Sequence, residues 1–216
     1  MILRQLQRLL GGIYDLNVGH DVYDFLVTDR GQLPASARPG ASDEQLIVAQ
    51  GREDCGVSLF LDPALLERLQ NADPMVKLNE SNVADYWTAL EGVSHFVYFA
   101  WNAGHDKDVS LFELEMQAEI DKYVASYLLL KRQFPDRFPA ELMRLLFERT
   151  RIDSQLAGDR EGLYRAASHY AERFCRRLER TLRGSRQEIE QEALTELRRF
   201  YRLADARKVA HIERQG

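Results

Sequence analysis

Apolar residues recur at helical spacing over most of this chain, and the exceptions cluster in its first quarter. Between Met1 and Leu10 the apolar positions 2, 3, 6, 9 and 10 alternate with polar residues at 4, 5, 7 and 8, which predicts a short amphipathic helix. Residues 30–44 are rich in Gly, Pro and Ser without periodicity and read as a loop. Gln45 to Gln50 and Val57 to Leu61 are short β-rich runs on either side of the charged segment Gly51 to Gly56, the pattern of a hairpin. Val22 to Thr28 is a candidate third strand. A hairpin alone is marginal in water, so this small sheet must pack on something.

From Asp62 onward the pattern is helical. Asp62-Pro63 places an N-cap before a proline at the first helical position, opening a short helix through Leu65, Leu66 and Leu69. A long helix is predicted from about Ser81 to Ala103, stopped by Gly104 to Asp108, and a second from Ser110, whose pairing with Glu113 makes a capping box, to about Gln133. Pro135 and Pro139 interrupt the periodicity, a third helix covers about 140–149, and the last 55 or so residues make two more, punctuated at Gly184-Ser185. The fold class is α+β, predominantly helical, with a small N-terminal β-hairpin or three-stranded sheet packed on a bundle of five or six helices. One domain over 1–216 is expected, with the N-terminal helix and sheet in 1–61 and the helical part in 62–216.

Composition narrows the function classes. The 216 residues are 45% hydrophobic and 29% charged, as in a globular protein. A net charge of −5 argues against a general nucleic-acid binder, although the halves differ: residues 1–110 carry 8 basic and 16 acidic groups, and 111–216 carry 21 and 18. Only five of the 29 basic residues are Lys, a bias typical of a GC-rich, bacterial genome. The two cysteines, Cys55 and Cys175, have no partner at metal-finger spacing, so a reducing compartment fits. Neither a signal-like nor a bilayer-length apolar run occurs, and a cytoplasmic protein without a membrane role is expected.

The densest polar anomaly is Glu91 to Trp101, a nearly all-round apolar helix that carries Glu91, Ser94 and His95. Such a helix is expected to be buried, and residues four apart share one face. If the helices flanking the 104–108 turn pack antiparallel, His95 lies level with about Gln117, close to Glu115 and Glu119. Glu91, His95, Glu115 and Glu119 are therefore the candidate metal ligands. The spacing departs from the Glu and His three apart of di-iron bundles, and one histidine stands where two would be expected. A buried His95 held by Glu91, with Glu115 and Glu119 solvated or paired with Lys122, explains the same residues without a metal.

A second feature is the basic stripe Arg173, Arg176, Arg177, Arg180 and Arg183 on one helix face. It could face a phosphate ligand, but the next helix carries Glu188, Glu192 and Glu196 at a four-residue spacing. Folding back at Gly184-Ser185 would set Arg180 near Glu188, Arg177 near Glu192 and Arg173 near Glu196, an internally neutralised ladder. Gly-rich phosphate loops, nucleophile elbows and His-Glu-x-x-His motifs are absent from the sequence.

The leading functional expectation is protein–protein interaction, as an adaptor, accessory subunit or regulator, for which Tyr86, Trp87 and Trp101 are candidate contact residues, although filling the core is the commoner role for any one of them. Another protein is then the partner, and a homo-oligomer is allowed. The alternative is a metal-dependent enzyme with a Glu/His site between two antiparallel helices. The third is a nucleic-acid-associated protein using the Arg stripe. No motif calls for a cofactor, and a divalent metal is what the Glu/His set could take.

Overall fold

Two local signals set the centre of the molecule. Ser110 caps the helix after it, its Oγ accepting from the Glu113 N–H at 3.1 Å while the Ser110 N–H donates to Glu113 Oε2 at 3.1 Å. Just before it, Asp106 turns the chain in the left-handed region (φ 52°), which Asp tolerates better than most residues. The result is an antiparallel pair, α3 (Val83–Ala103) and α4 (Leu111–Gln133), around which everything else is arranged.

The computed structural model describes residues 1–35, 42–50, 55–148, 159–183 and 187–214. Helix α1 (Ile2–Tyr14) buries Leu3, Leu6, Leu10, Ile13 and Tyr14 against α3, α4 and the C-terminal part. The sheet contains β1 (Leu26–Val27), β2 (Glu44–Gln50) and β3 (Cys55–Leu61) in the order β1-β3-β2. Strands β2 and β3 are antiparallel, with Glu44 opposite Leu61 and Gln50 opposite Cys55, whereas β1 runs parallel to β3, with Leu26 opposite Leu59. This sheet lies on α3. Helix α2 (Pro63–Asn71) starts where Asp62 Oδ1 accepts from the Ala64 N–H at 2.9 Å. Helices α5 (Asp159–Arg183), α6 (Gln187–Tyr201) and α7 (Asp205–Arg214) follow, with α5 on α4, α6 on α1 and α5, and α7 on α5. The architecture is thus a predominantly helical α+β fold with a small mixed sheet. Among the described residues, no helix is long and apolar enough to cross a membrane.

The departures from expectation are local. Asp21 accepts from the Tyr23 N–H at 3.0 Å and winds Val22–Asp24 into a 3₁₀ turn, leaving only Leu26–Val27 to pair as a strand. Glu44, expected at the end of a loop, opens β2 instead. The helix expected at about 140–149 is seen as helical residues 142–148, of which Arg144–Glu148 are π-helical. A third C-terminal helix, α7, follows a break near Leu203 that no Gly or Pro announces. Gly51 to Asp54 and Gly184-Ser185, expected to be turns, lie outside the described residues.

Of the three aromatic residues weighed as contact or core residues, Tyr86 and Trp101 are in the core and Trp87 lies at its edge. Tyr86 is fully buried, Trp101 is 9% exposed and stacks edge-on against Tyr201, and half-buried Trp87 donates its indole N–H to Ser126 Oγ at 2.9 Å.

Candidate metal centre

Three cross-helix contacts measure the register of α3 on α4: Trp87 with Ser126, Ser94 with Asp121 at 2.6 Å, and Tyr98 with Glu113 at 3.3 Å. They straddle the 104–109 turn symmetrically, so Glu91 and His95 must meet Glu115, Glu119 and Lys122. A further carboxylate comes from the sheet. Glu44, at the start of β2, reaches over α3 at Gly92, where a Cβ would come within 2.8 Å of Glu44 Cγ and 2.9 Å of Leu59 Cδ1. Only a glycine lets strand and helix approach closely enough for Glu44 to reach the imidazole.

His95 sits between two carboxylates, its Nδ1 3.5 Å from Glu44 Oε1 and its Nε2 3.8 Å from Glu115 Oε1. Ligand atoms of Glu91, His95 and Glu115 all lie within 4.8 Å of one another. Beside them the Lys122 ammonium bridges Glu91 Oε2 at 2.6 Å and Glu119 Oε1 at 2.8 Å. Among the described residues, three buried atoms here have no hydrogen-bond partner: His95 Nε2, Glu44 Oε1 and Glu119 Oε2. The cluster is nearly closed, and Glu91, 27% exposed at its side chain, forms its edge toward solvent.

Burial and charge compete at each group. Burial disfavours the imidazolium of His95, but Glu44, Glu115 and Glu91 outweigh it and push its pKa up to about 9. Burial, with Glu91 and Glu44 adding, pushes Glu115 up to about 7 against the opposing pull of His95 and Lys122. Glu44 is raised by burial, which His95 only partly offsets. Glu91 is lowered, because Lys122 and His95 outweigh its burial. The ammonium of Lys122 is opposed by burial and held charged by Glu119 and Glu91. Four acidic side chains thus face two basic ones, and burial works against the ionisation of Glu44 and Glu115.

Of the four expected ligands, Glu91, His95 and Glu115 converge, while Glu119 is turned to Lys122. Comparison with protein-family models, with curated proteins and with solved structures finds no match. Glu44 escaped the sequence reading because its position depends on a strand packing on a helix far along the chain. Lys122 was legible only as a neighbour of Glu119, and its contact with Glu91 needs the helix register.

A second buried polar network joins α1, α3, α4 and α7. Asp121 accepts from Tyr14 Oη at 2.5 Å, Ser94 Oγ at 2.6 Å and Gln117 Nε2 at 2.8 Å. Lys208 of α7 donates to Gln117 Oε1 at 2.9 Å and lies over the rings of Tyr98, Phe200 and Tyr201. Burial pushes Asp121 up to about 6 and Lys208 down to about 7.

Among the described residues, three of the five arginines of the stripe have a carboxylate partner. Arg176 meets Glu172 at 2.6 Å and Arg183 meets Glu179 at 3.1 Å within α5, while Arg177 crosses to Glu196 at 2.9 Å. Arg177 therefore takes the acid expected opposite Arg173, a slip of one turn, and His211 of α7 also converges on Glu196 at 2.5 Å. The expected Arg180 to Glu188 rung lies outside the described side chains. Cys175 is fully buried, its thiol pKa raised by burial, and serves as a small apolar residue.

Proposed function

We propose that this protein binds one divalent metal cation through His95 Nε2 and the carboxylates of Glu91 and Glu115, and that the ion serves a metal-dependent enzymatic reaction. The observation that carries this reading is the buried, unpartnered Nε2 of His95 facing two carboxylates. A buried nitrogen left without a hydrogen bond costs about 1–3 kcal/mol, and a metal would supply the missing partner. The excess of carboxylates over cations supports it as well, since a divalent ion offsets charge that burial makes expensive.

One imidazole with carboxylates suits Mn²⁺, Fe²⁺ or Zn²⁺. Three protein ligands leave coordination positions free, as catalytic sites require. The ion would act as a Lewis acid or lower the pKa of a bound water, with solvent entering past Glu91. This reading is preferred to the partner-binding expectation because the aromatic anchors named for the latter are packed inside the fold.

Elemental analysis after metal-replete expression tests it. About one ion per chain is expected, lost in His95→Ala with most helicity retained. Background metal in the wild-type protein would overturn the reading.

A further inference from the structure

The acidic cluster has two halves, and Glu91 belongs to both. On one side its carboxylate lies with His95 and Glu115. On the other it holds the Lys122 ammonium at 2.6 Å, with Glu119 completing the grip at 2.8 Å. The side chain of Lys122 is 9% exposed, and an ammonium so placed is tolerated only because two carboxylates face it. Glu119 Oε2 is also buried and has no hydrogen-bond partner among the described residues.

Charge bookkeeping separates the two halves. The carboxylates of Glu44, Glu91, Glu115 and Glu119 bring four negative charges. With His95 as a neutral ligand, one divalent ion and the Lys122 ammonium together offset three of them. Two divalent ions without Lys122 would offset all four. A second ion is thus favoured by charge and opposed by the ammonium already in its place.

We propose that Lys122 is the resident second cation of a site built for two, so that the wild-type protein takes a single metal ion with Glu91 bridging that ion and the ammonium. This rests on the metal-binding reading above and adds to it the stoichiometry of the site and the residue that sets it. Lys122 sits on the same helix as Glu119, three residues on, and across from Glu91. Its seat is fixed by the helix pair and does not depend on any bound ion. An arriving second ion would have to expel a paired ammonium from a buried position. Where the lysine is replaced by a neutral side chain of similar length, Glu91 and Glu119 become free ligands.

The test counts Mn²⁺ bound to the full chain at saturation and records the spin-resonance spectrum. The wild type is expected to bind one ion with the spectrum of an isolated Mn²⁺. Lys122→Met is expected to bind two, with the broadened spectrum of exchange-coupled ions, and Lys122→Arg to stay at one. Glu119→Gln, which touches only the ammonium half, should keep one ion, whereas His95→Ala should keep none. One ion in a folded Lys122→Met would overturn the inference while leaving the metal reading intact. Two ions in the wild type would overturn the inference and the one-ion count while leaving divalent-metal binding itself intact. No Mn²⁺, Fe²⁺ or Zn²⁺ in the wild type would overturn that reading itself. Should Lys122→Met fail to fold, the wild-type count and Glu119→Gln still decide: loss of the ion in the latter would place it in the half assigned to Lys122.

Discussion

Glu44 occupies the space that a side chain on Gly92 would fill: a Cβ there would lie 2.8 Å from Glu44 Cγ and 3.3 Å from its Oε1. The missing methyl on α3 and the carboxylate on β2 are one device, which lets a strand deliver a charge into the interior beside His95. The contact also explains why Glu44 can be buried at all, since the imidazole 3.5 Å away answers its charge.

Gly92→Ala should therefore act on two readouts. Both close neighbours belong to packed elements, so the added methyl forces β2 outward, and overpacking of this kind costs about 1–3 kcal/mol. Urea unfolding should report that loss. Mn²⁺ affinity should fall with it, because Glu44 no longer faces the cluster; an unchanged affinity would remove Glu44 from the electrostatics of the site.

His95→Gln, studied with chelator present, isolates the contribution of the imidazole. The folded pKa of about 9 lies above the ordinary value of 6.5. The proton bound on folding thus stabilises fully below about pH 6.5, and this contribution is lost as pH rises through 9. The shift corresponds to about 3 kcal/mol. The variant should be less stable than wild type by an amount of that order at pH 6, and the gap should close by pH 9 to 10. A gap independent of pH would mean that His95 is neutral between Glu44 and Glu115.

Much of this centre was legible in the pattern of residues along the chain, and its limits have a physical cause. Gly104, the Ser110 and Glu113 cap and the apolar run around His95 are local signals, and they were enough to place the α3 and α4 pair and to bring Glu91, His95 and Glu115 together. Glu44 was not legible, because its role depends on a non-local contact at Gly92. The bridging of Lys122 between two acids was half legible: Glu119 is near in sequence, whereas Glu91 meets it only through the register. The break before α7 was missed because the chain turns at Leu203 without Gly or Pro, and with it the burial of Lys208 was missed.

The Arg-rich face of α5 should not behave as a nucleic-acid surface. Arg176, Arg177 and Arg183 each have a carboxylate partner, and Glu196 keeps His211 when Arg177 is removed. Arg177→Ala should change stability by no more than about 1 kcal/mol. Binding to duplex DNA at physiological salt should be weak in both proteins, with no change in the slope of log affinity against log salt. A slope that drops by about one on losing Arg177 would show that the side chain contacts phosphate.

Lys208 supplies the most direct test of the second buried network. Its side chain is fully buried, facing Gln117 by a hydrogen bond, the rings of Tyr98, Phe200 and Tyr201, and the charges of Glu113, Asp121 and Asp205. Burial lowers its pKa to about 7 from 10.5, with the three acids only partly opposing. Between those two pH values the unfolded chain holds a proton that the folded chain has released. This residue therefore makes stability rise with pH, by up to about 1.4 kcal/mol per unit. His95 pulls the other way over part of the same range, so the wild-type curve alone would conceal the effect. The difference between Lys208→Met and wild type cancels the His95 contribution, since both proteins carry His95. The advantage of the methionine variant, or the smallest disadvantage, should appear at about pH 7 and below, and should erode steadily as pH rises to 10. Urea unfolding at unit pH steps measures this. Parallel curves would instead show that the aromatic rings and Asp121 hold Lys208 as a charged ammonium throughout, making the network a buried ion pair.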